Sequence, residues 1–155
     1  MKKILFSIIV LVCTLTAYAQ QGKDEYKSMI DSAINIMYNR YSTIPKKQND
    51  DDYLNNLYLF NEQNLPLNYI PSSSKFKIIN LFDDRNIKLL TKGIYAWKVL
   101  ATLNKNSFKI TIINFFITYK KHNLNFANGG GSESAFEYDC DKNEWRLISF
   151  ENSGI

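Results

Sequence analysis

Apolar positions from Asp24 to Tyr41 recur at three-and-four spacing: Tyr26, Met29, Ile30, Ala33, Ile34, Met37, Tyr38 and Tyr41. That spacing predicts a helix with one buried face. Asp24 and Glu25 in its first turn and Arg40 in its last agree with the helix dipole. Thr43-Ile44-Pro45 breaks the pattern, and Asn49-Asp50-Asp51-Asp52 then precedes Tyr53, Leu54, Leu57 and Tyr58. Acids ahead of an apolar three-and-four pattern predict a short second helix; a calcium-binding run is the alternative reading of the same acids. From Asn61 to Lys75, Pro66, Pro71 and Ser72-Ser73-Ser74 predict a long loop and a candidate contact surface.

From Phe76 onward the period changes. Phe76 to Leu81 predicts a short strand, Asp83 to Asn86 a turn, and Ile87 to Leu90 a further short strand. Gly93 to Leu103 alternates, with Tyr95, Trp97, Val99, Ala101 and Leu103 on one face, and Asn104-Lys105-Asn106 turns the chain. Phe108 to Tyr119 alternates at first and is then apolar on both faces, as in a central strand covered on both sides.

Two turns are expected after that. Gly129-Gly130-Gly131 predicts a hairpin loop, since glycine supplies positive φ, and the matching register sets Leu124 against Phe136, Asn123 against Glu137 and Lys121 against Asp139. Cys140-Asp141-Lys142-Asn143 predicts the next loop, with Tyr138 facing Trp145, Glu137 facing Arg146 and Phe136 facing Leu147. The resulting class is α+β: an N-terminal helix and a short second helix packed on a curved antiparallel β-meander of four to six strands. By analogy alone this order is compatible with cone-shaped cystatin-like or NTF2-like folds, and no motif identifies either family.

The first residues change the picture of where the protein works. Lys2-Lys3, an apolar run from Ile4 to about Leu15, and Ala17-Tyr18-Ala19 before Gln20 have the three parts of a secretory signal peptide over residues 1–19, leaving one domain over 20–155. The expected destination is outside the cytoplasm, periplasmic or secreted. Val12 directly before Cys13 disfavours lipid attachment there, and the apolar run is short for a membrane span. Without residues 1–19 the chain keeps 17 basic and 15 acidic side chains, a net +2, so neither nucleic acid nor a membrane surface is an expected partner. It also keeps one cysteine, Cys140, which excludes an internal disulfide.

Candidate chemistry is sparse. A phosphate loop needs glycines leading from a strand into a helix with a lysine, and here a strand follows. Ser132 lacks the following glycine of a nucleophile elbow. Asp139, Asp141 and Asn143 resemble half a calcium loop, but Glu144 and Phe150 occupy the positions of the required glycine and bidentate acid. Cys140 needs a base, and His122, the only histidine, is placed by the glycine register diagonally beyond hydrogen-bonding reach. These two are the only catalytic candidates, one His and one Cys cannot complete a zinc site, and no cofactor is expected. Acids such as Asp83, Asp84, Glu133, Glu137, Asp139, Asp141 and Glu144 could pair, without any spacing that selects a pair.

Two functions follow as expectations: an exported non-enzymatic protein that binds a protein partner, of inhibitor or immunity type, or a small ligand binder or hydrolase with a cavity between helix and sheet. A closed core with an exposed aromatic patch would favour the first. A cavity mouth bearing two acids, or His122 with Cys140, would favour the second.

Overall fold

The structure is a computed structural model, and it describes residues 25–43 and 54–153. The expected signal peptide, its cleavage site, Cys13, Asp24 and the acids Asp50 to Asp52 lie outside the described residues. Helix α1 occupies residues 25–43. The three-and-four positions Met29, Ile30, Ala33, Ile34 and Met37 are its buried stripe, and Tyr38 and Tyr41 flank it.

A six-stranded sheet lies beneath α1: β1 (Leu57–Asn61), β2 (Phe76–Ile78), β3 (Ile94–Asn104), β4 (Ser107–Lys120), β5 (Asn123–Asp139) and β6 (Glu144–Ser153). Its order is β2-β1-β3-β4-β5-β6. The class is α+β as the pattern predicts, but the sheet is mixed, because β1 runs parallel to both β2 and β3 while β3 to β6 form the antiparallel meander.

The mixed character comes from β1. Leu54 and Asn55 are helical, yet Leu57 and Tyr58, expected in the second helix, belong to this strand. Leu57-Tyr58-Leu59-Phe60 is a continuous apolar run, and a strand buried on both faces has no period to separate it from a helix. Leu57 and Leu59 face α1, whereas Phe60 joins a second core on the opposite face.

Parallel β1 and β3 need a crossover. It contains β2, a 3-10 turn at Asp84–Asn86 and helix α2 (Ile87–Lys92), so the strand expected at Ile87 to Leu90 is a helix instead. Asp83 caps the turn by accepting the Arg85 N–H, and Gly93, with φ of 88°, ends α2. Six residues are too few to reveal a helical period. Leu90 is buried in the second core with Ile79, Leu81, Ile94, Ala96 and Ile117.

Trp97 and Val99 of β3, and Phe108, Ile110 and Ile112 of β4, pack under α1. Trp97 is fully buried, with Tyr41 and Phe76 rings about it. Tyr95 and Leu103, expected on that covered face, are exposed, since they lie near the two ends of β3 beyond the main cluster.

The β4–β5 connection is the largest departure from expectation. The chain turns at Lys121 and His122, both with positive φ (50° and 62°), the signature of a tight two-residue hairpin. Leu124 therefore pairs with Tyr119, not Phe136, and β5 runs straight through the three glycines. Ile113 pairs with Gly131 while Phe115 pairs with Asn128, so β5 holds one extra residue there, a bulge opposite Asn114. Gly130 has φ of 89°, and a Cβ on Gly131 would sit 2.3 Å from the Ile112 carbonyl oxygen. Glycine is needed for a bulge and a close strand approach rather than for a turn.

The bulge switches faces. Before it, Leu124 packs on the second core and the Phe126 ring meets Phe60 and Phe115 on the same face; after it, Ser132, Ser134 and Phe136 lie toward α1. The next hairpin matches its expected register: Phe136 pairs with Leu147, Glu137 with Arg146 and Tyr138 with Trp145. The Tyr138 and Trp145 rings meet edge to face at 5.5 Å. Arg146 closes its ion pair on Asp139 (2.6 Å), the diagonal neighbour of the expected Glu137.

Candidate functional site

Beneath α1 the packing is tight: Ala33, Ile34 and Met37 meet Leu57, Leu59, Trp97 and Ile110, all essentially without solvent exposure. Three polar side chains enter that region. Asn114, Ser132 and Ser134 are buried, with Asn114 Oδ1 and both serine hydroxyls lacking a hydrogen-bond partner. The Tyr41 hydroxyl reaches the Gly129 carbonyl at 3.4 Å and also bonds Asn114, which ties the end of α1 to the glycine bulge. Burial raises the Tyr41 pKa, with Asn114 and Arg40 opposing the rise.

Among the described residues, grooves border both cores. A trough of about 780 Å³ has Gly129, Gly130 and Gly131 in its floor and Glu133 and Glu151 on its walls. These two carboxylates are directly opposite on β5 and β6. Like charges so placed repel unless compensated, and Lys109 supplies compensation with an Nζ donating to Glu133 Oε1 at 2.7 Å. The Glu133 bond and charge, with a smaller contribution from Glu151, raise the lysine pKa. Glycine floor and ionic walls suit charge recognition, and the hydroxyls of Thr111, Ser132 and Ser153 line the same trough.

A second groove, about 360 Å³, follows the seam between α1 and the β5–β6 hairpin, with Glu25 and Glu144 on its rim and Phe136 and Trp145 inside.

The third groove, about 470 Å³, gathers the features that the sequence scattered: Asp83 and Asp84 from the 3-10 turn, His122 from the β4–β5 turn, and Asn64 from the long loop. Leu81, Ile87, Tyr119 and Leu124 form the apolar part of its walls. Two aromatics stand at its opening. Phe82 is 61% exposed and Phe126 38%, the latter stacked edge-on to Phe115 at 5.5 Å. Phe82 projects because the Asp83 cap and the Asn80 side chain, which accepts the Phe82 N–H, fix the backbone on both sides of it. The bonds and charge of Arg85 hold the Asp83 carboxyl below the usual carboxylate range, so Asp83 is ionised and occupied at neutral pH.

His122 and Cys140 do not meet. They close opposite ends of β5, a strand of 17 residues, hence on the order of 50 Å apart at about 3.3 Å per residue. Cys140 is exposed and free. Asp139, expected to begin a half calcium loop, instead caps the turn: Oδ1 accepts the Asp141 and Lys142 N–H groups and Oδ2 receives Arg146. Among the described residues no three His, Cys, Asp or Glu side chains gather as a metal site, and no helix is long and apolar enough to cross a membrane.

The sequence pattern did not single out Phe82, Phe126 or Glu151. Phe82 carried the one available signal, a large aromatic directly before a capping Asp-Asp pair; Glu151 becomes a wall residue only through the β5–β6 register. Comparison of the chain with protein-family models, curated proteins and solved structures gives no match.

Proposed function

We propose that the chain is an exported, non-enzymatic binding protein of inhibitor or immunity type, which covers a protein partner outside the cytoplasm through the Phe82–Phe126 groove. The observation that carries this reading is Phe82, a phenylalanine more than half exposed on a backbone fixed by two side-chain caps. Aromatic anchors held rigidly beside an apolar pocket dominate interface energies, and rigid presentation lowers the ordering cost of binding. The tight packing beneath α1 leaves the surface as the place for recognition. The leader-like residues 1–19 supply export, and a mature N-terminus at Gln20 is the corresponding expectation. In shape, a helix lying across a bulged sheet suits the cone-like analogy with cystatin-like and NTF2-like domains.

The test is capture from the protein's own cell envelope with tagged wild type and with Phe82→Ser. Wild type retains a defined protein, and the variant, with an unchanged melting curve, loses it. Equal retention by both would remove the groove from the reading.

One observation favours the alternative, a small-ligand binder or hydrolase with a site between helix and sheet: the seam groove bears two acids, Glu25 and Glu144, on its rim. A ligand whose stabilising effect on the wild type disappears in Glu144→Gln, while Phe82→Ser leaves it intact, would select this reading.

A further inference from the structure

We propose that two copies of this chain associate edge to edge, antiparallel along β6, with Arg146 of each copy opposite Glu151 of the partner subunit. This surface is separate from the Phe82–Phe126 groove, and neither depends on the other. Among the described residues β6 pairs on one side only, with β5. Its ten residues contain no lysine and no proline, two of the usual protections of an edge against pairing. Leu147 and Ile148, in its middle, are 43% and 53% exposed.

The bulge in β6 decides which self-pairing is possible. Phe136 pairs with Leu147 and Ala135 with Ser149, so Ile148 is the extra residue. In a regular strand, two-fold antiparallel pairing joins positions of the same parity, because side chains alternate between faces and so do the outward hydrogen-bonding groups. Ile148 breaks that parity: Glu144 and Arg146 share a face with Ser149 and Glu151, and Trp145 and Leu147 share the other with Phe150 and Asn152. Faces match across a two-fold axis only when an even position before the bulge meets an odd one after it.

Charge then selects among the matching registers. With the axis between Ile148 and Ser149, Arg146 meets the partner's Glu151, Leu147 meets the partner's Phe150, Trp145 meets the partner's Asn152 and Glu144 meets the partner's Ser153. Moving the axis one step toward the N-terminus puts Glu144 against the partner's Glu151, a repulsive pair. Moving it the other way puts Ile148 against the partner's Glu151 and shortens the overlap. The favoured register uses the whole strand and forms two ion pairs. Within one chain Glu151 already faces Glu133, whose carboxylate holds Lys109, so a second cation relieves a like-charge contact. The Arg146 guanidinium has five donors and can keep Asp139 while it reaches Glu151 of the partner subunit.

Sedimentation of the purified protein over a range of concentrations should show a monomer–dimer equilibrium. Arg146→Glu and Glu151→Arg should each weaken it at least tenfold, and the double reversal should restore it, because the pair is regained with its signs exchanged. Since Arg146→Glu also loses the Asp139 pair, a second readout is independent of it. Arg146→Cys with Glu151→Cys, in a Cys140→Ser background, should give a covalent dimer on non-reducing gels; the two positions are too far apart along one strand to bridge within a chain. A monomer at every concentration, a dimer indifferent to both reversals, a double reversal that stays monomeric, or absence of the disulfide dimer would each overturn the proposal.

Discussion

The two halves of β5 make one strand and live in different surroundings. From Gly131 to Phe136 every residue except Glu133 is buried, while from Asn123 to Gly129 every residue except Leu124 is exposed. The second half has β6 on its outer side and α1 above it. Among the described residues the first half has no outer neighbour, because the pairing of β6 ends with Ser153 on Gly131. Burial in a strand is thus set by what lies beside and above it, and the bulge between the halves is where one regime passes to the other. Phe126 and Phe136, the same residue type on the same strand, therefore carry different duties: Phe136 belongs to the core under α1, and Phe126 to the rim of the aromatic groove.

Alanine substitution separates the two phenylalanines most widely. Phe136→Ala should destabilise by about 3 to 5 kcal/mol, the range for a buried phenylalanine, whereas Phe126→Ala should cost about 1 kcal/mol, as part of its area is already in water. Chemical denaturation of the two variants measures the gap; equal losses would mean that the first half is as well covered as the second.

The boundary itself comes next. Gly131→Ala places a Cβ 2.3 Å from a backbone oxygen that cannot move without shifting β4, whereas the same change at Gly129 meets the Asn114 Nδ2 at 2.9 Å, a side-chain atom that can rotate. The first should cost about 2 to 3 kcal/mol and the second less than about 1. Unfolding midpoints of the two variants order the sites, and a larger loss at Gly129 would place the strained approach elsewhere.

At the exposed end, Lys121 and His122 occupy positive-φ positions that Asn-Gly fills with less strain. Lys121→Asn with His122→Gly should raise stability by on the order of 1 kcal/mol, read from the same denaturation curves. At the other end the effect is the smallest and depends on pH. The Asp139 pKa is lowered by Arg146 and by the turn N–H groups. A depressed carboxylate contributes stability that is present above its unfolded pKa and lost as pH falls through the folded one, so Asp139→Asn should flatten the loss of stability below about pH 4. Melting temperatures of both proteins between pH 2 and pH 6 check it.

How far the sequence carried can be judged from the same strand. The β5–β6 register was legible because its determinants are local: a four-residue turn, with Phe136, Tyr138, Trp145 and Leu147 matched a few positions on either side. The β4–β5 turn was not. A run of glycines satisfies a loop and a bulge equally, since both want positive φ or a missing Cβ, and nothing in Lys-His advertises a tight turn. The groove was legible only in fragments, because Asp83, His122 and Asn64 become neighbours through the crossover and not through spacing.

α1, β3, β4 and the β5–β6 hairpin, and with them the α+β class, follow from residue order, because the period or turn of each is written within a dozen residues. Packing between distant segments makes Leu57-Tyr58-Leu59-Phe60 a strand, sets β1 parallel to its neighbours, and has the three glycines bend a strand rather than turn it. One cause underlies all three. A residue buried on both faces, or lacking a side chain, carries no period, so its conformation is set by the partners that pack against it.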